Sequence, residues 1–264
     1  VSASAPEVTT GTLLGGRVRY DQPAAGFRTG IEPVLLAAAV AARPGERVLE
    51  AGSGAGAGLL CLAARVPGLR GIGVERDTDL TALAARNAAA NRFPGIENVT
   101  ADILAWRGPA PFDHAFANPP YHPPGTASPL PAREAAKRAA PGLIAAWIAA
   151  LVASLRDGGT LTLSLPSGAI AEAVDALHAA GCGTVARLPL FPRENMPPKL
   201  ELLRATRGAA PCPPRTARGL ILHPPLGEPS GGPYTIAAEN ILRHGAALDW
   251  ETSERVPHSV MPGA

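Results

Sequence analysis

Short apolar runs alternate with stretches of helical period along most of this chain. Glu46–Glu50, Gly71–Glu75, Asn98–Ala101, Phe112–Ala117 and Gly159–Leu165 read as strands. Between them, Ile31–Ala42, Gly58–Val66, Asp79–Arg92, Leu143–Leu155 and Ala169–Ala180 read as helices. Pro33 is tolerated in a first turn, Pro44-Gly45 stops the first helix, and Asp77 or Asp79 caps the third. The rhythm then changes. Thr184–Phe191 and Lys199–Thr206 flank the turn-rich 192–198 and predict an antiparallel pair closing one edge. Gly219–His223 predicts a late short strand, and Ile236–His244 a final helix. At the start, residues 1–12 are small, polar and expected to be loosely held, Gly16–Tyr20 is a candidate strand, and Asp21–Gly30 reads as loop. Strands alternating with helices predict an α/β fold with a doubly wound, mostly parallel sheet and an antiparallel edge hairpin.

Composition adds bounds. At 264 residues with 46% apolar side chains, one α/β domain with additions is expected. The 29 glycines and 29 prolines stay under a quarter of the chain. Five prolines between 123 and 141 predict a mobile loop on the substrate side. Cys61, Cys182 and Cys212 are widely spaced, so neither a disulfide framework nor a zinc site is expected, and a reducing cytoplasm fits. Residues 1–10 lack signal-peptide character, and no apolar stretch has membrane-spanning length. Net charge is only +2, and Lys137 and Lys199 are the only lysines.

The candidate chemistry sits at strand ends, where open α/β sheets bind ligands. The first strand runs into Ala51-Gly52-Ser53-Gly54-Ala55-Gly56 and a helix. Gly52, Gly54 and Gly56 would let backbone approach a ligand, although such turns also serve packing alone. Glu75 closes the second strand, where a carboxylate can accept from two ribose hydroxyls or simply stay solvated beside Arg76. Asp102 ends the third, placed either to accept from an adenine amino group or to cap its own turn. Together they describe a nucleoside pocket. The fourth strand ends in Asn118-Pro119-Pro120-Tyr121. The Asn118 side-chain oxygen and the Pro119 carbonyl could accept both hydrogens of a planar amino group, whose lone pair is otherwise delocalised. Pro119 and Pro120 stiffen the turn, and Tyr121 offers a stacking face.

The glycine turn, Glu75 and Asp102 resemble the donor site of class I S-adenosylmethionine-dependent methyltransferases. The resemblance implies a seven-stranded Rossmann-like domain over 31–250, an N-terminal extension over 1–30 that leads into the donor pocket, and a tail over 251–264. It implies S-adenosylmethionine as cofactor, no metal, and Glu50 facing the donor's amino-acid moiety. Asn118–Tyr121 resembles the NPP[FY] motif of enzymes that methylate exocyclic or amide nitrogens: adenine N6, guanine N2 or glutamine N5. A cytosine-C5 enzyme would need a cysteine there. Residues 15–37 and the tail segments Leu220–His223, Gly231–Thr235 and Ile241–Arg243 resemble the bacterial tRNA(Val) adenine-N6-methyltransferase family. That implies a cofactor role for Thr29 and Gly30, a tRNA as the RNA substrate, and no membrane partner. Glu50 stands where Asp is commoner, and lysine is scarce, leaving RNA contacts to arginine. The rival glutamine-N5 enzymes usually carry a helical N-terminal domain, and only about forty residues precede the donor motif.

Charge bears on the same choice. Arg187, Arg193, Lys199, Arg204, Arg207, Arg215 and Arg218 outnumber Glu194 and Glu201 over 183–220. This predicts either a basic edge holding phosphates, with Arg193 and Lys199 nearest the substrate, or a solvated hairpin. Arg133, Lys137 and Arg138 would extend that edge.

Overall fold

The computed structural model describes residues 7–25, 28–109, 111–120, 142–227 and 232–250. Tyr121, the proline loop, Arg133, Lys137, Arg138, Gly231 and the 251–264 tail lie outside the described residues.

The strands of the central sheet are β3 (Arg47–Ala51), β4 (Arg70–Glu75), β5 (Ile96–Thr100), β6 (Phe112–Ala117), β7 (Leu155–Pro166), β8 (Cys182–Phe191) and β9 (Leu200–Arg207). Their spatial order is β5-β4-β3-β6-β7-β9-β8. All run parallel except β9, which is antiparallel to both neighbours. The seven-stranded, edge-hairpin expectation therefore holds. Two-residue strands β10 (Arg215–Thr216) and β11 (Leu220–Ile221) extend it along the outer side of β8.

Helices α1 (Glu32–Ala39), α2 (Ala57–Arg65), α3 (Thr78–Ala90), α4 (Leu143–Ser154), α5 (Ile170–Ala179) and α6 (Ile236–Leu242) cover the sheet. Strand alternation divides the apolar side chains between two cores. Val48 and Phe116 pack with α1 and α2, while Leu49 and Ala115 pack with α4 and α5. Each fully buried leucine contributes about 1.5–3 kcal/mol. Asp77 caps α3, accepting from the backbone N–H groups of Asp79 and Leu80. No helix among the described residues is long and apolar enough to cross a membrane.

Three expectations need correction. The strand expected to stop at Tyr20 runs on to Pro23, because Asp21, Gln22 and Pro23 pair with Thr10, Thr9 and Val8, so the loop expected from Asp21 starts later. Val8–Leu13 is not loose: it forms β1, paired antiparallel with β2 (Val18–Pro23). Its order comes from β2, which buries Val18 and Tyr20, and from the Thr10 hydroxyl donating to Asp21 at 2.7 Å. Helix α1 ends at Ala39 rather than Ala42, because its last carbonyls find partners elsewhere. Arg65 donates to Ala37, the Leu248 N–H to Ala38 at 2.8 Å, and the Trp250 indole to Ala39 at 3.0 Å.

Candidate active site

Register brings four strand ends to one rim. Ala51 pairs with Val74 on one side and Ala117 on the other, and Glu75 pairs with Thr100. The next residues in each strand, Gly52, Arg76, Ala101-Asp102 and Asn118, therefore leave the sheet together.

The glycine turn divides its labour. Gly52, Gly54 and Gly56 all have φ between +55 and +89, which side-chain-bearing residues resist. A Cβ at Gly54 would meet nothing within 4 Å, and Gly52 is exposed beneath the edge of the Trp147 ring. Those two positions leave backbone open at the rim. Gly56 is buried, with Ala84 of α3 3.2 Å from any added Cβ, so packing sets that position. Beneath the turn the Ser53 hydroxyl and both atoms of the Asn98 amide are buried without hydrogen-bond partners.

Glu75 braces the turn. One carboxylate oxygen accepts from the Gly54 N–H and the other from the Asp77 N–H, each at 3.0 Å. A carboxylate has about four lone-pair sites, so each oxygen keeps one for a further donor. Asp102 is exposed, and its carboxylate accepts from the Leu104 N–H at 2.9 Å. The capping reading is thus real, and one carboxylate can also serve a ligand.

Glu50 lies under the α2 N-terminus, 6% exposed, accepting from the Leu59 N–H at 2.9 Å. Gly58 makes room for it: a Cβ there would fall 2.2 Å from the carboxylate. Burial pushes the Glu50 carboxyl up to about 8, against the Leu59 hydrogen bond and with help from the Glu75 charge. The folded chain therefore holds this proton more tightly than the unfolded chain. Stability should fall as pH rises from the ordinary carboxyl range to about 8, then level off. Thermal melts of the donor-free protein from pH 5 to pH 8 are expected to show that decline, and Glu50→Gln to flatten it. A Gln variant with the same slope would place the titration elsewhere.

Tyr20, Gln22, Asn87 and Asn91, to which pattern reading gave no role, tie Thr29 and the N-terminal hairpin to the glycine turn. Tyr20, 3% exposed, shares a 2.7 Å hydrogen bond with the Thr29 hydroxyl, and burial pushes its phenol up to about 12. The Thr29 N–H donates to the Gln22 side chain at 3.0 Å. A side chain at Gly30 would strike the Glu32 carboxylate at the start of α1. Asn87 on α3 and Asn91 at its C-cap, one turn apart, pair with the backbone of Asp21 and Arg19 like a further strand. Asn87 also donates to Ala55, joining β2 to the glycine turn. Only the residue-to-residue partners reveal this clamp; its one sequence signal is two asparagines four apart.

At the end of β6, Asn118 is exposed, Pro119 buried and Pro120 half-buried. The buried proline anchors the turn while the asparagine side chain faces outward. The basic edge is smaller than its charge count. Arg187 is committed to the buried Glu201 in a forked pair near 3.0 Å. Arg207 lies at the opposite end of the sheet, bonded to carbonyls of Val152, Ala153 and Leu155 and paired with Asp157. Arg204 lies 4.5 Å over the Trp250 ring. Arg193 and Lys199 remain in the β8–β9 turn on the Asn118 side, Arg193 donating to the Pro224 carbonyl at 2.8 Å.

The rim fits a nucleoside-bearing donor: exposed αL glycine backbone, acidic side chains with spare lone pairs, and an unpartnered hydroxyl beneath. Residues 32–164 match the family model of the methyltransferase small domain. An Enterobacter protein named tRNA1(Val) (adenine(37)-N6)-methyltransferase is 37% identical over 117 residues, 42% of this chain and 47% of that protein. An Aeromonas hydrophila protein of the same name is 28% identical over 193 residues, 73% of this chain and 82% of that one. This chain thus spans about half the length of the first relative and more of the second. The crystal structure of a predicted O-methyltransferase from Agrobacterium tumefaciens superposes with a TM-score of 0.63 at 25% identity, covering 82% of this chain and 97% of the other. With the match spanning half the chain and the fold in agreement, the chain belongs to the methyltransferase small domain family of S-adenosylmethionine-dependent methyltransferases.

Proposed function

We propose that this protein transfers a methyl group from S-adenosylmethionine to an exocyclic amino nitrogen, adenine N6 of a tRNA. The observation that carries this reading is Asn118, exposed at the carboxyl end of β6 beside the glycine turn, with the buried Pro119 fixing its backbone. Gly52 and Gly54 would lie along the donor, Glu75 would accept from its ribose, Asp102 from its adenine, and Glu50 would face its amino-acid end. Bound there, the donor supplies a methyl group already activated on a sulfonium.

The chain's task is then to hold and orient the acceptor. The Asn118 oxygen and the Pro119 carbonyl accept the two N–H bonds, which draws charge onto nitrogen and aims its lone pair. The proline pair keeps those acceptors from drifting, since displacement needs a near-attack geometry. Tyr121 stacks the base, and Arg193 and Lys199 contact flanking phosphates. A base taken from an unpaired loop avoids the cost of flipping from a duplex. The adenine choice is supported by the names of the tRNA-modifying relatives.

Labelled S-adenosylmethionine incubated with total tRNA, ribosomal RNA and release factor tests this directly. Label is expected in tRNA as N6-methyladenosine. Label in guanine N2, in a glutamine or on an oxygen would replace the acceptor and keep the donor site.

A further inference from the structure

Among the described residues, six large apolar side chains stand exposed, and four of them belong to one neighbourhood: Met196, Ile221, Leu226 and Ile236. Leu226 and Ile236 are 82% and 83% exposed. Clustered apolar exposure of this kind marks an interaction surface. The segments carrying these residues are tied side by side. The His223 N–H donates to the Pro192 carbonyl at 3.0 Å, Arg193 to the Pro224 carbonyl at 2.8 Å, and the Thr235 N–H to the Leu222 carbonyl at 2.9 Å.

Inside that knot the rings of His223 and Tyr234 stack, with centroids 5.1 Å apart and planes 23° from parallel. His223 Nδ1 donates to the Pro233 carbonyl at 2.7 Å, which fixes the imidazole's orientation. Both rings are only half-buried. Arg193 is tied to the adjoining Pro224, Lys199 precedes β9 on the inner side of β8, and neither makes an ion pair among the described residues. None of these groups holds the donor or Asn118, yet they share that rim. Strand β11 pairs with the end of β8, four strand spacings from β6, or roughly 19 Å.

Aromatic faces, aliphatic side chains and cations together suit single-stranded nucleic acid, where bases stack and phosphates meet charge. We propose that the His223–Tyr234 pair, with Leu226 and Ile236 beside it, is a stacking platform for an unpaired nucleotide of the RNA substrate, a few nucleotides from the target base. Arg193 and Lys199 hold the intervening phosphates. This inference rests on the RNA reading above.

The test measures Kd for unfractionated tRNA and for an unstructured oligoadenylate by fluorescence anisotropy, across a salt series. His223→Leu combined with Tyr234→Leu keeps apolar packing and removes the stacking faces. The expected result is a Kd raised between about 5-fold and about 150-fold, the range for one stacked base, with the salt slope unmoved. Tyr234→Phe should bind far better than Tyr234→Leu. Arg193→Gln with Lys199→Gln should do the reverse, flattening the salt slope by about 1 to 2 units. Ultraviolet crosslinking of the unaltered protein to the same RNAs, mapped by peptide mass analysis, should mark residues 221–236 and needs no variant to fold. Wild-type methylation of tRNA with no crosslink there, or with an unchanged Kd in the leucine variant, overturns the platform alone. Failure of the wild-type protein to bind or methylate any RNA overturns the RNA reading, and the platform with it.

Discussion

Asn118→Ala is expected to lower kcat about a thousandfold while S-adenosylmethionine binds with unchanged affinity. A single preorganised hydrogen-bonding group facing developing charge is worth about 10²–10³ in rate. Asn118 supplies one of two acceptors for the amino hydrogens and also the alignment of the nitrogen, which places it at the upper end. Asn118 is exposed at the strand end, so the fold should lose no more than about 0.5 kcal/mol. Single-turnover methylation at saturating donor reads the first quantity and calorimetric titration of the donor the second. A variant rate within about threefold of wild type would remove Asn118 from the acceptor site. Loss of donor affinity in parallel with the rate would mean that the asparagine belongs chiefly to the cofactor.

The second large effect belongs to Glu75. Glu75→Ala should weaken the donor at least about a hundredfold, because hydrogen bonds to a charged acceptor contribute about 1.5–3 kcal/mol each and two are lost together. The two losses will not simply add, since the Gly54 and Asp77 N–H groups are released as well and the turn loosens. Glu75→Gln keeps one carbonyl acceptor and should fall between the two. The readout is donor Kd by calorimetry, with turnover at saturating donor changing only a few-fold. An unaltered titration would reject the nucleoside pocket whatever the turnover does.

The parallel half of the sheet was legible because burial on both faces writes continuous apolar runs, and because the turns between them need glycine or proline. Phe112–Ala117 and its Asn-Pro-Pro exit were read correctly even with Asp113 and His114 inside the run: both strand limits and the exit agree with the structure. The β1–β2 hairpin was not legible. Val8–Leu13 has four β-branched residues but little burial, so no alternation betrays which face points inward. The Asn87 clamp joins residues 66 positions apart, and no local pattern carries such a distance. Charge misled for a related reason. A count over 183–220 adds Arg187 and Arg207 to a surface, whereas Glu201 on the next strand neutralises the first and strand direction sends the second to the far end. The glycine turn shows a subtler limit. Three glycines with one backbone conformation divide between ligand approach and helix packing, and only the neighbouring atoms distinguish Gly54 from Gly56.

The antiparallel β9 also fixes an order of assembly. In the chain β8 precedes β9, yet in space β9 separates it from β7. Until residues 200–207 arrive, β8 has no strand beside it on that side, while β3 to β7 can already pair among themselves. A ribosome releasing this chain therefore presents Cys182–Phe191 before the strand that pairs with it, so the backbone groups on that edge wait for the following strand. Completing the seven-stranded order places one strand between two that precede it in the chain. It also brings Arg193 and Lys199 to the rim, so the substrate-facing turn is completed only after the donor-side strands can have formed.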